Sequence, residues 1–109
     1  PTAEIGAGLC LPHPTGIVIG QVVKIGADVT LYQNVTLGSA RAGGANDQPE
    51  IGNNVVIFAG AVIVGKISIG PNAKIGANAV VLDHVPAGAA AVGAPARIIE
   101  SPFSFEQAA

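Results

Sequence analysis

The sequence predicts an all-β fold, a parallel β-helix whose coils have three sides, and three observations carry that prediction. Aliphatic residues return every six positions. Gly and Asn or Asp stand at fixed offsets after them. The chain is half apolar yet holds only three Phe, one Tyr, no Trp and no Met among 109 residues.

The six-residue rhythm comes first. One run is Ile19, Ile25, Leu31, Leu37, and a second is Ile51, Ile57, Ile63, Ile69, Ile75, Val81, with Ala87 as its continuation. Ile5 and Leu11 belong to the same series, with two extra residues before Ile19. A companion set of smaller residues lies two positions ahead: Ile17, Val23, Val29, Val35, then Val55, Ala61, Ile67, Ala73, Ala79, Val85. A helix repeats near 3.6 and a simple strand near 2, so six fits neither. It fits short strands joined by corners, one hexad per side. Three hexads make a coil of about 18 residues, and the chain holds about four coils.

The corner residues come second. Gly follows the aliphatic position at Gly6, Gly20, Gly26, Gly38, Gly52, Gly70 and Gly76, and Asp28, Asn54, Asn72 and Asn78 stand two further on. These types accept the left-handed backbone angles that tight corners demand. The composition comes third. A narrow, regular interior suits Ile, Val, Leu and Ala, stacked in columns from coil to coil. A polar residue at Ile57 or Ile69 is expected to be severely damaging.

The rhythm is interrupted between Leu37 and Ile51. Residues 39–50, SARAGGANDQPE, are polar and Gly-rich and are expected to leave the coil as a loop. Residues 1–99 thus form one β-helix domain carrying that loop, and residues 100–109 form a tail.

Charge and composition exclude several classes. A net charge of −2 with scattered basic residues leaves no footprint for nucleic acid. The uncharged stretch from Ile5 to Val23 is broken by Pro12, His13, Pro14 and several Gly, so it is not a membrane span. One Cys forbids an internal disulfide, no leader is visible, and a cytoplasmic location is expected. Cys10 sits in an apolar hexad and reads as core rather than nucleophile.

The second irregularity is LPHPTGIVIG, residues 11–20, where two prolines bracket His13. Advancing His13 by one coil, with the two-residue offset, reaches Gln33. Two further coils reach Ala59 and Ala77, so the four are expected to share one edge.

The hexad pattern, that segment, DVTLYQNVTLG at residues 28–38 and VPAGAAAVGAPARII at residues 85–99 together resemble the hexapeptide-repeat acyltransferases, in their serine acetyltransferase-like branch. The resemblance implies a left-handed coil, against the usual handedness of crossovers. It also implies a homotrimer with sites between subunits, and an O-acetyltransferase using acetyl-CoA, with no metal. His13 would be the general base for an acceptor hydroxyl, that of L-serine or of a sugar. Gly38, Ala59 and Ala77 would meet CoA through backbone groups, and Lys74 and Arg97 would meet its phosphates. Gln33, in the His13 column, and Gln48, in the loop, are the candidate acceptor-binding residues.

The pattern departs from the family at defined places. Pro12 stands where Asp usually precedes the His, and Asp47, Gln48, Pro49 stand where an Arg-His-Pro stretch holds serine. The acid that pairs with the base lies upstream of this chain in the family, and Glu4 is the only nearby substitute. A non-catalytic assembly module is the alternative function. A zinc enzyme of the γ-carbonic-anhydrase type is a weaker one, since it needs three His and only His13 and His84 exist.

Overall fold

The computed structural model describes residues 3–40 and 47–100. The centre of the expected loop, residues 41–46, and the tail from residue 101 lie outside the described residues. Within them the chain forms short strands and no helix. No helix of the described residues is long and apolar enough to cross a membrane.

The first coil supplies β1 (Glu4–Ile5) and β2 (Val18–Ile19). The second supplies β3 (Lys24–Ile25), β4 (Thr30–Leu31) and β5 (Thr36–Gly38). The third supplies β6 (Glu50–Ile51), β7 (Val56–Ile57) and β8 (Val62–Val64), and the fourth β9 (Ser68–Ile69), β10 (Lys74–Ile75) and β11 (Val80–Val81). The last described strands are β12 (Ala90–Val92) and β13 (Arg97–Ile99).

These strands stack as three sheets, the faces of a prism. The first is β1-β3-β6-β9, the second β4-β7-β10-β12-β13, the third β2-β5-β8-β11. All neighbours run parallel except β12 and β13, an antiparallel closing pair. The register repeats the aliphatic ruler: Ile51 lies opposite Ile69, Ile57 opposite Ile75, Ile63 opposite Val81. Across the interruption the pairing resumes in phase, Ile25 with Ile51 and Leu37 with Ile63. The interruption between β5 and β6 therefore leaves the stack in register.

Alternation along each short strand sends the ruler residue inward and its neighbours outward. Leu31, Leu37, Ile57, Ile63 and Ile75 are fully buried, and so are the companions Val23, Val29, Val35, Val55, Ala61, Ala73 and Ala79. The first coil has a neighbour on one side only, and its Ile5 and Leu11 stay 47% and 36% exposed. Cys10 corrects its expected place. It bridges to Thr30, an outward position, and is exposed rather than in the core.

The ruler slips once, at the end. Val85 bridges to Ile69 and Ala91 lies opposite Ile75, so Val85 takes the seat expected for Ala87, which is exposed. The corner after Val81 is two residues shorter than its counterparts. There the His84 ring substitutes for backbone: its Nδ1 accepts the Ser68 N–H at 2.9 Å.

The corners also divide their work differently from the sequence expectation. Left-handed angles fall on Asp28, Asn34, Asn54, Asn72 and Asn78, and on Gly8, Gly16, Gly60 and Gly88. The Gly directly after the ruler residue is not left-handed; at Gly6, Gly26, Gly52 and Gly70 the backbone of the next coil leaves no room for a Cβ. A Cβ on Gly52 would lie 2.7 Å from the Pro71 nitrogen and 2.9 Å from the Ile69 oxygen of the next coil. Gly52→Ala is expected to destabilise the fold by about 1–3 kcal/mol, as overpacking does, read as a lower denaturation midpoint. At Gly38 a Cβ meets nothing within 4 Å, so Gly38→Ala is the matching control for stability.

Candidate functional site

The edge between the second and third sheets carries the residues singled out from the sequence. Its corners are turns, and each turn donates to the turn below. The Gly60 N–H bonds the Gln33 carbonyl at 3.0 Å and the Asn78 N–H bonds the Ala59 carbonyl at 2.9 Å. Gln33, Ala59 and Ala77 therefore occupy equivalent seats in successive coils. The seat below belongs to Thr15, whose carbonyl accepts the Asn34 N–H at 2.8 Å. This corrects the expected place of His13.

The reason lies in the two extra residues of the first coil. Cys10 faces Thr30 and Val18 faces Thr36, so the insertion falls between them. It is the Pro12-His13-Pro14 stretch, which bulges from the corner. His13 stands on the expected edge, exposed, just before the column rather than in it. Its carbonyl accepts the Thr15 N–H at 2.8 Å, which ties the bulge to the column.

The neighbours of that edge differ from each other. Gln33 Oε1 is buried with no hydrogen-bond partner among the described residues. An unmet buried acceptor costs about 1–3 kcal/mol, so it marks a place where a donor is wanted. Tyr32 and Phe58, each just ahead of a column residue, stack with centroids 5.3 Å apart and planes at 17°. Sequence reasoning passed over this pair. The signal was present: in two consecutive coils an aromatic residue follows the ruler residue, where Gly is the common choice.

The remaining candidates spread over other faces. Gly38 ends β5 at the far side of the third sheet, beside open space, with its carbonyl accepting the Gly65 N–H at 3.0 Å. Lys74 is exposed on β10 and Arg97 is exposed on β13, both in the second sheet. The second sheet thus leads from the His13 corner past Tyr32 and Phe58 to Lys74 and Arg97.

The loop base sits on a different edge, between the third and first sheets. Gln48 Oε1 accepts the Val22 N–H at 3.0 Å and packs against Gly20. Asp47 Oδ1 accepts the Lys66 N–H at 2.9 Å, and the Ser39 hydroxyl donates to Oδ2 at 3.5 Å. Both side chains thus anchor the loop to the coil. Glu4 lies on β1 in the first sheet, opposite Lys24, and is not placed on the His13 corner. His84 stands at the other end of the stack, bonded to Ser68. No group of three or more His, Cys, Asp or Glu that could hold a metal occurs among the described residues.

Residues 48–83 match the bacterial transferase hexapeptide (six repeats) model. Serine acetyltransferase of Helicobacter pylori is 48% identical over 99 residues, 91% of this chain and 58% of that protein. The soybean serine acetyltransferase apoenzyme superposes with a TM-score of 0.87 at 46% identity, covering 90% of this chain and 40% of the soybean chain. A serine acetyltransferase solved in complex with CoA superposes with a TM-score of 0.83 at 47% identity, covering 90% of this chain and 40% of its own. The chain thus spans between two fifths and three fifths of the relatives it matches. The match to these β-helices sets the coil as left-handed. On its repeats, its fold and its identity to these relatives, the chain carries the bacterial transferase hexapeptide repeat and resembles, over nine tenths of its own length, the β-helix of serine acetyltransferases.

Proposed function

We propose that the chain is the catalytic β-helix of an acetyl-CoA-dependent O-acetyltransferase, with His13 as general base. One observation carries the reading. His13 stands on the same edge as Gln33, Ala59 and Ala77, which fill equivalent seats in successive coils. That edge offers a base at one end and a regular run of backbone beside it.

The chemistry is a direct transfer. His13 takes the proton of the acceptor hydroxyl as the oxygen attacks the thioester carbonyl carbon. The carbon–sulfur bond breaks, the acetyl ester forms, and the proton passes to the departing CoA thiolate. Backbone N–H groups at the corners would stabilise the developing oxyanion. No covalent enzyme intermediate is needed.

Acetyl-CoA would lie along the second sheet. From β4 to β10 is two strand spacings, ~10 Å, and from β4 to β13 four, ~19 Å. An extended pantetheine arm starting at His13 thereby brings its phosphates toward Lys74 and Arg97, whose cationic heads suit them. Ala59 and Ala77 flank that path with small side chains, and Gly38 faces the open end of the third sheet. The serine acetyltransferase solved with CoA supports a CoA thioester as donor. The first relatives act on serine by name, so a hydroxyl is the acceptor class. Acetyl-CoA as donor suits a reaction in the cytoplasm, and a homotrimer would set a second subunit against the exposed edge.

The test is release of free thiol from acetyl-CoA in the presence of hydroxyl acceptors. Acceptor-dependent release is expected, with salt-sensitive acetyl-CoA binding that Arg97→Gln weakens severalfold. Binding of acetyl-CoA without turnover of any acceptor would instead favour a non-catalytic assembly module. Light scattering in solution tests the trimer.

A further inference from the structure

We infer that Tyr32, Phe58, Gly76 and Val92 form an apolar cleft that holds the pantetheine arm of the donor, so that the donor class at this edge is the pantetheine thioester, with or without its nucleotide. This rests on the acetyltransferase reading above and names the donor contacts of that same edge. The resemblance gives CoA the backbone at Gly38, Ala59 and Ala77 and the charges of Lys74 and Arg97. It gives no part to the aromatic pair. Three observations carry the inference.

The first is the shape of one column on the second sheet. Leu31 pairs with Ile57 and Ile57 with Ile75, so Tyr32 lies opposite Phe58 and Phe58 opposite Gly76. Ile75 pairs with Ala91, which sets Val92 opposite Gly76. The ruler residues point inward, so these four face outward. Tyr32 and Phe58 stack at 5.3 Å and 17°, so Tyr32 covers one face of the Phe58 ring. The other face is turned toward Gly76, which has no side chain to cover it, and Phe58 is 37% exposed. Val92 overhangs from the far side: a Cβ on Gly76 would lie 3.1 Å from Val92 Cγ1. The result is a cleft with an aromatic wall below and an aliphatic one above.

The second is the placing of charge. Lys74 stands two residues before Gly76 in the fourth coil, and Arg97 pairs with Val92 across β12 and β13. Both cations lie toward the upper end of the column, and the aromatic end has none. The surface therefore suits a ligand that is neutral and partly apolar along most of its length and anionic at one end. The CoA arm has that order: thioester, amides, a branched dimethyl carbon, then pyrophosphate. Burial of the dimethyl carbon against Phe58 stabilises by area, whereas exposed ion pairs add little.

The third is distance. From the first coil, where His13 stands, to Gly76 in the fourth is three coil spacings, ~14 Å. That is about the reach of an extended arm from its sulfur to its dimethyl carbon. A thioester at His13 thus sets the dimethyl group in the cleft and the pyrophosphate beside Lys74 and Arg97.

The experiment compares acetyl-CoA, S-acetylpantetheine and S-acetyl-N-acetylcysteamine as donors, the last of which ends before the dimethyl carbon. The acceptor is the hydroxyl compound that supports thiol release from acetyl-CoA. S-acetylpantetheine is expected to serve as donor with a kcat close to that of acetyl-CoA. Phe58→Ala should raise the KM of both about tenfold, the size of one aromatic contact, with a smaller change in kcat, and Phe58→Leu should recover most of the loss. The KM of S-acetyl-N-acetylcysteamine, which does not reach the cleft, should not respond. The chain has one Tyr and no Trp, so its ultraviolet emission reports on Tyr32. Pantetheine has no aromatic ring and should change that emission saturably, at higher concentration in Phe58→Ala than in wild type. Equal KM changes for all three donors, or no change for S-acetylpantetheine, overturn the inference and leave the acetyltransferase reading standing. Absence of thiol release from every donor overturns the acetyltransferase reading. The emission titration then decides the cleft, and no saturable change with pantetheine overturns it as well.

Discussion

His13→Ala lowers kcat for acetyl transfer by about 10²–10⁴-fold, the range a positioned general base contributes, while acetyl-CoA still binds. The expectation follows from where the ring is held. Pro12 and Pro14 restrict the backbone on both sides of His13, and its carbonyl is bonded to the Thr15 N–H that begins the column. His13→Gln keeps a polar side chain of similar reach but no proton acceptor of matched basicity, and should be as slow. Stopped assays of thiol release, with acetyl-CoA binding by calorimetry, separate the chemical step from binding. Equal kcat in wild type and His13→Ala would remove His13 from the mechanism.

Ile57→Asn abolishes folding at ordinary temperature, and its reason is the column. Ile57 is fully buried between Leu31 of the coil below and Ile75 of the coil above. Truncation of such a residue to Ala costs about 2–5 kcal/mol. The Asn amide adds an unmet polar group worth about 1–3 kcal/mol. Against a total stability of about 5–15 kcal/mol, that sum approaches the whole. Each coil touches only its neighbours, so a break in the third coil also separates the coils on either side. Ile5→Asn is the control. Ile5 is 47% exposed on the first coil, and its replacement should shift the denaturation midpoint only slightly. Circular dichroism during chemical denaturation reads both variants.

Much of the fold was legible because the constraint is local and repeated. Leu31, Ile57 and Ile75 had to face one axis, and only a three-sided coil brings every sixth residue there. The slip at Val85 was not legible, since Ala87 also fits the rhythm. What chose Val85 was a shortened corner in which His84 Nδ1 replaces a backbone acceptor for the Ser68 N–H. The Gly after each ruler residue looked like a turn former. Its reason, a next coil too close for a Cβ at Gly52, exists only once coils are stacked.

The candidate site divides along the same line. Gln33, Ala59 and Ala77 were placed together by counting alone, because the hexad rhythm resumes in phase after residues 39–50. His13 was assigned to that column by the same count, and the count failed by its own insertion: the two extra residues are the Pro-His-Pro bulge itself. Gln48 could be matched to an acceptor-holding stretch by position, while its bond to the Val22 N–H belongs to a corner twenty-six residues away.

The sequence by itself determined the period, the three-sided coil and the identity of the core, because burial of aliphatic side chains depends on spacing that the chain states outright. Tertiary structure alone decided which residue sits in the lowest seat of the column, which amides the loop side chains occupy, and that Tyr32 and Phe58 meet as one surface. Those are contacts between coils, and their geometry depends on where insertions and deletions are absorbed, which a one-dimensional count does not contain.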